Sequence, residues 1–480
     1  MEVRDLWQHQ KDAIEIAKSL DYYALLFDPG CGKSATAVNI LRDKYNKHKK
    51  LLPTLILAPP IVVQNWKNEF KMWSKIKPEK IILLVGTGKE RAKLLQNTSC
   101  DTVCVTNYES LNMPELLEEM KKFLSNGPSC LLLDEAHRCK DISAKRTKRA
   151  IELADLATYR YILTGTPILN NLMDIFSQFR ILDRGQRFGH NFFTFRARFF
   201  EDKNKAMPAS KYFPRWEPIR GADQKIKELI APVSMHVEKS KCLTLPPLVR
   251  KTIEVPMGKE QSRLYESMRK DLVATIKTEG GSGERHSIAE LAITKALRLQ
   301  QIVSGHVRVE GLNGEGAATI QIKENPRKDA LKQLLEDLAP YHKVVVWAVF
   351  HANYDDIRDV CKSLELEYAE LHGQIDDRDA QIERFNNDEK CRVLIGHPGS
   401  GGIGVNLVVA SYSIFYSRSF SLEYDIQAEA RNYRGGSERH ESITRIDLVC
   451  PATIDELVLK ALASKQALSQ SVLKDHIEEI

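Results

Sequence analysis

Residues 25–34 have the composition of a phosphate-binding loop. The apolar run at 25–27 is followed, two residues later, by Gly-Cys-Gly-Lys-Ser at 30–34, where an amphipathic helical pattern begins. Backbone N–H groups of such a loop can point at phosphate oxygens, the Lys33 ammonium can reach β- and γ-phosphates, and the Ser34 hydroxyl can bind Mg²⁺. Phe27 stands where the full pattern has its first glycine. The alternative is an ordinary glycine turn that caps a helix.

A second candidate motif, which is acidic, follows an apolar run at 130–133. Asp134 and Glu135 come directly after that run and precede Ala136 and His137. A carboxylate at the end of a neighbouring strand can hold the hydration shell of Mg²⁺, and the next carboxylate can polarise an attacking water. An isolated Asp-Glu pair would suggest a solvated turn. Together with the phosphate loop, the pair predicts a nucleotide-hydrolysing site.

Two further groups of residues could act on a γ-phosphate. Thr164 and Thr166 flank a glycine at the end of a predicted strand, where they either sense the phosphate or cap a turn. Arg431 and Arg434 are three residues apart and share one helix face, so both could enter one cleft and stabilise charge in phosphoryl transfer. The alternative for the arginines is a solvated basic face.

The composition fits a globular chain of several domains. Of 480 residues, 43% are hydrophobic and 28% charged, which excludes fibrous, collagen-like and wholly disordered classes. No apolar run is long enough to span a bilayer, and the N-terminus has no secretory signal pattern, so we expect no membrane partner and a cytoplasmic location, or the host cytoplasm for a viral protein. Nine cysteines without a C-x-x-C pair indicate reduced, structural thiols. The net charge of +6 permits a nucleic-acid partner without requiring one.

Alternating apolar runs and helical patterns predict an α/β fold with parallel sheets. In the first part, the predicted strands are 23–28, 54–58, 81–85, 102–106, 130–134 and 161–164. Aromatic and charged helical patterns occupy about 171–322, and we interpret these as helical insertions. Strands then resume at 344–350, 367–371, 392–396, 413–416 and 444–449. The predicted domains are 1–185, 186–322 and 323–480.

The order of these motifs resembles a superfamily-two helicase-type motor, and specifically its Swi/Snf-like branch. LWQHQ at 6–10 is similar to the adenine-reading glutamine motif, and LILAPPIVVQNWKNEF and VTNYES resemble two nucleic-acid contact motifs. In the second half, SGGIGVNL at 400–407 and QAEARNYR at 427–434 resemble motifs V and VI. The Gln-Ala start of the latter favours the Swi/Snf branch over the DEAH-box RNA helicases. The resemblance implies two RecA-like parallel-sheet lobes in tandem, with helical insertions between them.

The resemblance also implies roles for individual residues. ATP and Mg²⁺ are the implied cofactors, with ATP bound by Gln10, Gly30, Cys31, Gly32, Lys33 and Ser34, and Mg²⁺ by Ser34 and Asp134. Glu135, Arg431 and Arg434 are the implied catalytic residues. Thr164, Thr166 and Gly404 would couple the two lobes, and Pro59, Thr106 and Asn406 would contact nucleic acid.

The function implied is ATP-driven translocation on double-stranded DNA by a minimal motor of bacterial or viral type. Single-stranded DNA or RNA is the alternative partner, and any protein partner is unknown. Rival functions are a DNA-unwinding helicase, an RNA helicase of the same superfamily and a non-hydrolysing, nucleotide-regulated scaffold. The 46 residues after Arg434 read as one strand and helices that complete a lobe. We therefore expect no strand-separating wedge there, which favours translocation over unwinding.

Overall fold

The computed structural model describes residues 5–208, 212–242, 244–279, 285–309, 318–399 and 405–473. From residue 8 to 163, helices alternate with short strands, because apolar runs bounded by turns are interspersed with segments of helical period. These elements are α1 (Gln8–Lys18), β1 (Tyr22–Phe27), α2 (Lys33–His48), β2 (Thr54–Ala58), α3 (Val63–Trp73), β3 (Ile81–Leu83), α4 (Gly88–Gln96), β4 (Val103–Asn107), α5 (Pro114–Ser125), β5 (Cys130–Asp134), α6 (Lys145–Leu156) and β6 (Tyr159–Leu163).

The middle of the chain is richer in helix but contains strands as well. Its elements are α7 (Asp174–Asp183), α8 (Phe192–Phe199), β7 (Phe200–Asp202), β8 (Trp216–Pro218), α9 (Ala222–Ile230), β9 (Ser234–Val237), α10 (Lys239–Cys242), β10 (Leu248–Glu254), α11 (Lys259–Glu279), α12 (Arg285–Val303), β11 (His306–Val309) and β12 (Ala318–Gln321).

The last part returns to regular alternation of strands and helices. Its elements are α13 (Pro326–Leu338), β13 (Lys343–Trp347), α14 (His351–Ser363), β14 (Glu367–Leu371), α15 (Arg378–Asn387), β15 (Cys391–Gly396), β16 (Ala410–Phe415), α16 (Leu422–Asn432), β17 (Ile443–Val449) and α17 (Ile454–Leu473). In the described ranges, no helix is both long and apolar enough to cross a membrane.

Within the described residues, two parallel sheets organise the chain. The first has the order β3-β4-β2-β5-β6-β1-β9, and the second β10-β17-β16-β13-β15-β14. We call each sheet with its covering helices a lobe. Both faces of each sheet are buried: in β2, Leu55 and Leu57 pack on one side while Ile56 and Ala58 pack on the other. This architecture confirms the predicted α/β class with two parallel-sheet lobes in tandem.

The segment interpreted as helical insertions also supplies one edge strand to each sheet. β9 pairs with β1 of the first lobe, and β10 pairs with β17 of the second. Two antiparallel hairpins, β7–β8 and β11–β12, lie in the same segment. The helical interpretation was therefore incomplete, because β9 has only four residues and β10 is a largely exposed edge strand rich in charged side chains. The predicted domain boundaries remain a prediction.

Candidate nucleotide site between the lobes

The loop between β1 and α2 is shaped by two glycines in the left-handed region. Gly30 has φ +92° and Gly32 has φ +79°, a conformation that side chains rarely adopt. A Cβ atom on Gly32 would lie 2.2 Å from Nε2 of Gln10, so a side chain there would displace the Gln10 amide. Gly32 precedes the first turn of α2, whose free N–H groups face the loop.

Lys33 folds back over this loop. Its Nζ donates a hydrogen bond of 2.8 Å to the carbonyl of Phe27, the last residue of β1. The ammonium therefore lies across the concave side of the loop, where the N-terminus of α2 also favours negative charge. Ser34 follows it and lines the same cleft. The arrangement presents one cation, one hydroxyl and backbone donors to an anion.

Helix α1 braces the loop from the other side. The side chain of Gln10 is buried, accepts from the Trp7 N–H at 2.8 Å and donates to the Gly32 carbonyl at 3.0 Å. His9 Nε2 lies 2.9 Å from the Cys31 carbonyl oxygen. Gln10 was identified through the family resemblance, whereas His9 was missed, because its contact with a residue 22 positions away leaves no local pattern.

Asp134 ends β5 beside the loop and has an indole as its partner. Trp66 Nε1 donates to Asp134 Oδ2 at 3.0 Å, and both side chains are buried. Burial, together with the neighbouring charge of Glu135, raises the pKa of Asp134 to about 7, while the charge of Lys33 opposes that rise. The carboxylate thus lies in an apolar setting that disfavours its charge unless a cation approaches.

Glu135 occupies the left-handed region, with φ 54° and ψ 55°. A non-glycine residue held there is strained, and such strain concentrates at functional sites. Burial opposes ionisation of Glu135, but His137 and the charge of Lys33 outweigh it and lower the pKa of this carboxyl. Glu135 is therefore a buried, charged carboxylate directed at the cleft that also contains the phosphate loop.

His137 connects this carboxylate with the strand end at Thr164. Its Nδ1 lies 3.0 Å from Thr164 Oγ1, 3.3 Å from Glu135 Oε2 and 3.5 Å from Thr166 Oγ1. The Thr166 N–H also donates to Thr164 Oγ1 at 3.1 Å. Burial alone would lower the pKa of His137, but Glu135 and Glu423 raise it to about 9. The imidazole is thus protonated at neutral pH.

Two arginines of the second lobe complete the cleft: Arg431 in the last turn of α16 and Arg434, two residues past its end. The prediction that both share one helix face was therefore wrong, because the helix ends at Asn432. This cleft of about 480 Å³ is lined by Gln10, Gly30, Gly32, Lys33, Ser34, Asp134, Glu135, Arg431 and Arg434, among others. The Arg431 guanidinium is buried, and its Nε and Nη2 have no hydrogen-bond partner. Burial and the charge of Arg434 lower the pKa of Arg431 to about 9. A buried, unpaired guanidinium is costly unless an anion binds beside it.

Arg434 lies above the phosphate loop. A Cβ atom on Gly30 would be 3.6 Å from the Cβ of Arg434, and burial lowers the pKa of the Arg434 guanidinium. Its Nη1 is 3.5 Å from the Val405 carbonyl, a weak contact at most. Both arginines are therefore available to a ligand on the loop.

Helix α16 is fixed in place by a buried ion-pair network. Arg445 on β17 contacts Asp425 at 2.7 Å, Glu429 at 2.7 Å and Asp447 at 3.3 Å. Arg418 contacts Asp425 at 3.1 Å from the other side. Because Asp425 and Glu429 belong to the helix that carries Arg431 and precedes Arg434, the network fixes the helix that positions both arginines. Sequence reasoning did not identify it.

The predicted residues outside the cleft have different surroundings. Cys31 is buried behind the loop, and Pro59 and Thr106 are buried as well. The Thr106 hydroxyl is within hydrogen-bond distance of the Leu84 carbonyl and Ser110, so it does not face solvent as a nucleic-acid contact would. Asn406 is exposed. Gly404, together with the start of the SGGIGVNL motif, lies outside the described residues.

Comparison with known families agrees with this arrangement. Residues 9–305 match the SNF2-related domain, and residues 326–436 match the helicase conserved C-terminal domain. The chain belongs to the SNF2-related family. Members of this family are ATP-dependent, helicase-type motor proteins and ATP hydrolases, which confirms the predicted Swi/Snf-like resemblance.

The chain is also similar to individual proteins. It is 25% identical to an uncharacterized ATP-dependent helicase of Mycoplasma genitalium (99% of this chain, 43% of that protein) and 26% identical to protein p41 of Acyrthosiphon pisum secondary endosymbiont phage 1 (93% of each). The CHD3-type chromatin-remodeling factor PICKLE of Arabidopsis thaliana is 24% identical (92% of this chain, 32% of that protein). The chain therefore spans less than half of the Mycoplasma and plant relatives. Among solved structures, the SWI2/SNF2 ATPase core of Sulfolobus solfataricus in complex with dsDNA has a TM-score of 0.43 and 21% identity, covering 98% of this chain and 93% of that one.

Proposed function

We propose that the chain hydrolyses ATP in the cleft between its lobes and uses the resulting movement to translocate along double-stranded DNA. The observation that carries this proposal is the buried Arg431 guanidinium, whose Nε and Nη2 have no partner and which lines the same cleft as Lys33 and Glu135. A γ-phosphate would supply the missing acceptors. Because Arg431 belongs to the second lobe, nucleotide bound there would hold both lobes together.

Different residues of the cleft would bind the phosphates, the metal ion and the adenine of ATP. Backbone N–H groups of Gly30 and Gly32 would cradle the β-phosphate, while the Cys31 N–H closes the turn on the Asp28 carbonyl. Lys33 would exchange its bond to the Phe27 carbonyl for phosphate oxygens. Ser34 and Asp134 would hold Mg²⁺, which ordinarily keeps several waters and takes its other ligands from phosphates. The raised pKa of Asp134 fits this role, since a metal ion would stabilise the charged form. Gln10 would read the adenine from its position against Gly32.

Hydrolysis and coupling would rest on the residues around Glu135. Its carboxylate would orient the attacking water, while Arg431 and Arg434 would stabilise charge on the transferred phosphoryl group. Thr164 and Thr166 would transmit the state of the γ-phosphate, since both contact His137, which also touches the second lobe. We propose the same coupling role for Gly404.

A basic surface on the first lobe supports a nucleic-acid partner. Lys145, Arg146 and Arg149 of α6 line a concave region of about 520 Å³ together with Tyr108, Glu109, Asn112 and Ala144, so three cations face one carboxylate there. Lysine and arginine side chains grouped on one surface can bind the phosphates of a nucleic-acid backbone. We call Lys145, Arg146 and Arg149 the α6 basic surface. Asn406 would contact DNA from the second lobe, whereas Pro59 and Thr106 would act through the backbone around them.

The names of relatives favour DNA over RNA. The plant relative is a chromatin-remodeling factor, and another relative, from Schizosaccharomyces pombe, is a TATA-binding protein-associated factor that is 25% identical over 98% of this chain and 26% of that protein. We infer from these two names that the chain translocates on double-stranded DNA.

The deciding experiment compares ATP turnover with duplex DNA, single-stranded DNA, RNA and no nucleic acid, and then tests displacement of a third strand from a triplex. We expect stimulation by duplex DNA and ATP-dependent triplex displacement, without separation of a forked duplex. Efficient unwinding of the fork would instead assign an unwinding helicase. Stimulation by RNA alone would assign an RNA helicase, and no turnover under any condition would assign a non-hydrolysing scaffold.

A further inference from the structure

Two cysteines that are far apart in sequence meet at the phosphate loop. The Sγ atoms of Cys31 and Cys242 lie 3.1 Å apart, and both thiols are free. Cys31 lies between the two left-handed glycines of the loop, and Cys242 is the last residue of α10. A disulfide needs an S–S distance of about 2.05 Å, so the sulfurs are about 1 Å from bonding distance.

Helix α10 lies at the junction of the two lobes. It follows β9 of the first sheet and precedes β10 of the second. The backbone N–H of Lys239 donates to Asp28 Oδ2 at 3.0 Å, while its Nζ donates to the Tyr433 carbonyl at 2.9 Å. A covalent bond from the loop to α10 would therefore tie the phosphate loop to the connection between the lobes.

We propose that Cys31 and Cys242 are an oxidative modification site, at which a reversible disulfide locks the phosphate loop against α10 and switches nucleotide turnover off. The oxidant is a peroxide. The Cys242 thiolate attacks one peroxide oxygen, which takes two electrons from sulfur, giving a sulfenic acid and releasing hydroxide. The Cys31 thiolate then attacks the sulfenic sulfur, the S–S bond forms and a second hydroxide leaves. With the two thiol protons, the two hydroxides become two waters, and a dithiol reverses the change.

The surroundings distinguish this pair from the other cysteines. Cys242 is partly exposed, and its contact with Cys31 lowers the pKa of its thiol, with support from the charge of Lys239. The same contact and burial raise the pKa of Cys31, so Cys242 is the thiol that reacts first. By contrast, Cys104, Cys130 and Cys139 are buried, and burial raises the pKa of each to about 12.

The first test detects the Cys31–Cys242 disulfide directly. The full-length protein is treated with hydrogen peroxide, free thiols are alkylated, and the unreduced digest is examined by mass spectrometry. We expect one linked peptide that joins Cys31 to Cys242. It should be absent in Cys242→Ser and retained in the matched control Cys100→Ser, which removes an exposed cysteine. No Cys31–Cys242 peptide under conditions that oxidise Cys100 would overturn the proposal, whether or not the protein hydrolyses ATP.

The second test measures the effect of the disulfide on ATP turnover. Because a displacement of about 1 Å in a site can cost about 100-fold in rate, we expect peroxide to lower ATP turnover about 100-fold and dithiothreitol to restore it. Cys242→Ser should keep its basal turnover and resist peroxide, whereas Cys100→Ser should lose turnover as the parent does. An equal peroxide effect on Cys242→Ser and the parent would contradict the switch.

Discussion

The imidazole of His137 in the first lobe forms an ion pair with Glu423 in the second, with His137 Nε2 and Glu423 Oε1 3.1 Å apart. The contact is electrostatic rather than an aligned hydrogen bond, since Nε2 has no hydrogen-bond partner. Glu423 lies on α16, the helix that also carries Arg431. His137 therefore links Glu135 and Thr164 in one lobe with the arginine-bearing helix of the other.

This ion pair predicts an alkaline limit to lobe closure. His137 has a pKa of about 9 in the closed arrangement, above its ordinary value of 6.5. The part of the stabilisation that comes from Glu423 depends on the protonated imidazole, so it is lost as the pH rises through about 9. We expect ATP turnover, and closure measured by fluorescence energy transfer between labelled lobes, to fall together across that upper range.

Replacing the carboxylate tests the cause. In Glu423→Gln the alkaline fall should move to lower pH, because one of the two carboxylates that raise the His137 pKa is gone. Glu383→Gln, an exposed carboxylate on the same lobe, should leave the profile unchanged. Identical profiles in Glu423→Gln and the parent would show that the ion pair does not govern closure.

The role proposed for Glu135 predicts that its replacement lowers ATP turnover without weakening ATP binding. In Glu135→Gln we expect ATP affinity to remain while turnover falls by about 10² to 10⁴-fold, since the water loses the carboxylate that orients it. Equilibrium binding of a fluorescent nucleotide and steady-state phosphate release measure the two effects. Lys33→Ala should instead weaken binding as well as hydrolysis. Parental turnover in Glu135→Gln would refute the assignment.

The two cleft arginines should matter for turnover far more than exposed arginines do. Arg431→Ala and Arg434→Ala should each lower ATP turnover strongly, up to about 10³ to 10⁵-fold if either acts as an arginine finger. Arg439→Ala, which removes an exposed arginine of the same lobe, is the matched control. Comparable losses in all three variants would point to a general charge effect and not to phosphate contact.

The α6 basic surface predicts a change in the salt dependence of DNA binding. Each phosphate contact adds about one to the slope of log affinity against log salt concentration, so Lys145→Ala or Arg146→Ala should lower that slope by about one. Lys362→Ala, an exposed lysine of the second lobe, should leave it unchanged. A slope that stays parental in both α6 variants would place the DNA elsewhere.

The strands were the most predictable part of the fold. Predicted and observed bounds coincide for 54–58 and 130–134, because a parallel strand buried on both faces is a short apolar run. They also coincide for the edge strand 367–371, in which Ala369 and Leu371 are buried. The edge strands β9 and β10 were missed for the converse reason: their side chains are largely outside the core, so neither has the apolar signature.

The site was predictable only where its residues are adjacent in sequence. The phosphate loop and the Asp134-Glu135 pair could be identified from local order, since strand, turn and helix follow one another. The contacts of Trp66 with Asp134 and of Cys31 with Cys242 join residues 68 and 211 positions apart. They exist because the parallel sheets bring distant strand ends to one edge, and composition alone does not specify which side chains meet there.

The network around Arg445 gives a prediction about stability. This arginine is buried and contacts Asp425, Glu429 and Asp447. In Arg445→Leu these carboxylates would lose their central cation, and removing one partner of a buried ion pair typically costs about 3–5 kcal/mol. Urea denaturation should show a loss of that size in the transition of the second lobe.

An exposed ion pair should contribute much less to stability than the buried network around Arg445. Arg384 pairs with Glu367 at 2.8 Å, with side chains 43% and 47% exposed, and such a pair contributes at most about 1 kcal/mol. Arg384→Ala should therefore lower the free energy of unfolding far less than Arg445→Leu does.

Arg445→Leu should also lower ATP turnover at temperatures where it remains folded, because α16 no longer holds Arg431 against the cleft. Full turnover in the folded variant would show that the network stabilises the lobe without positioning the arginine.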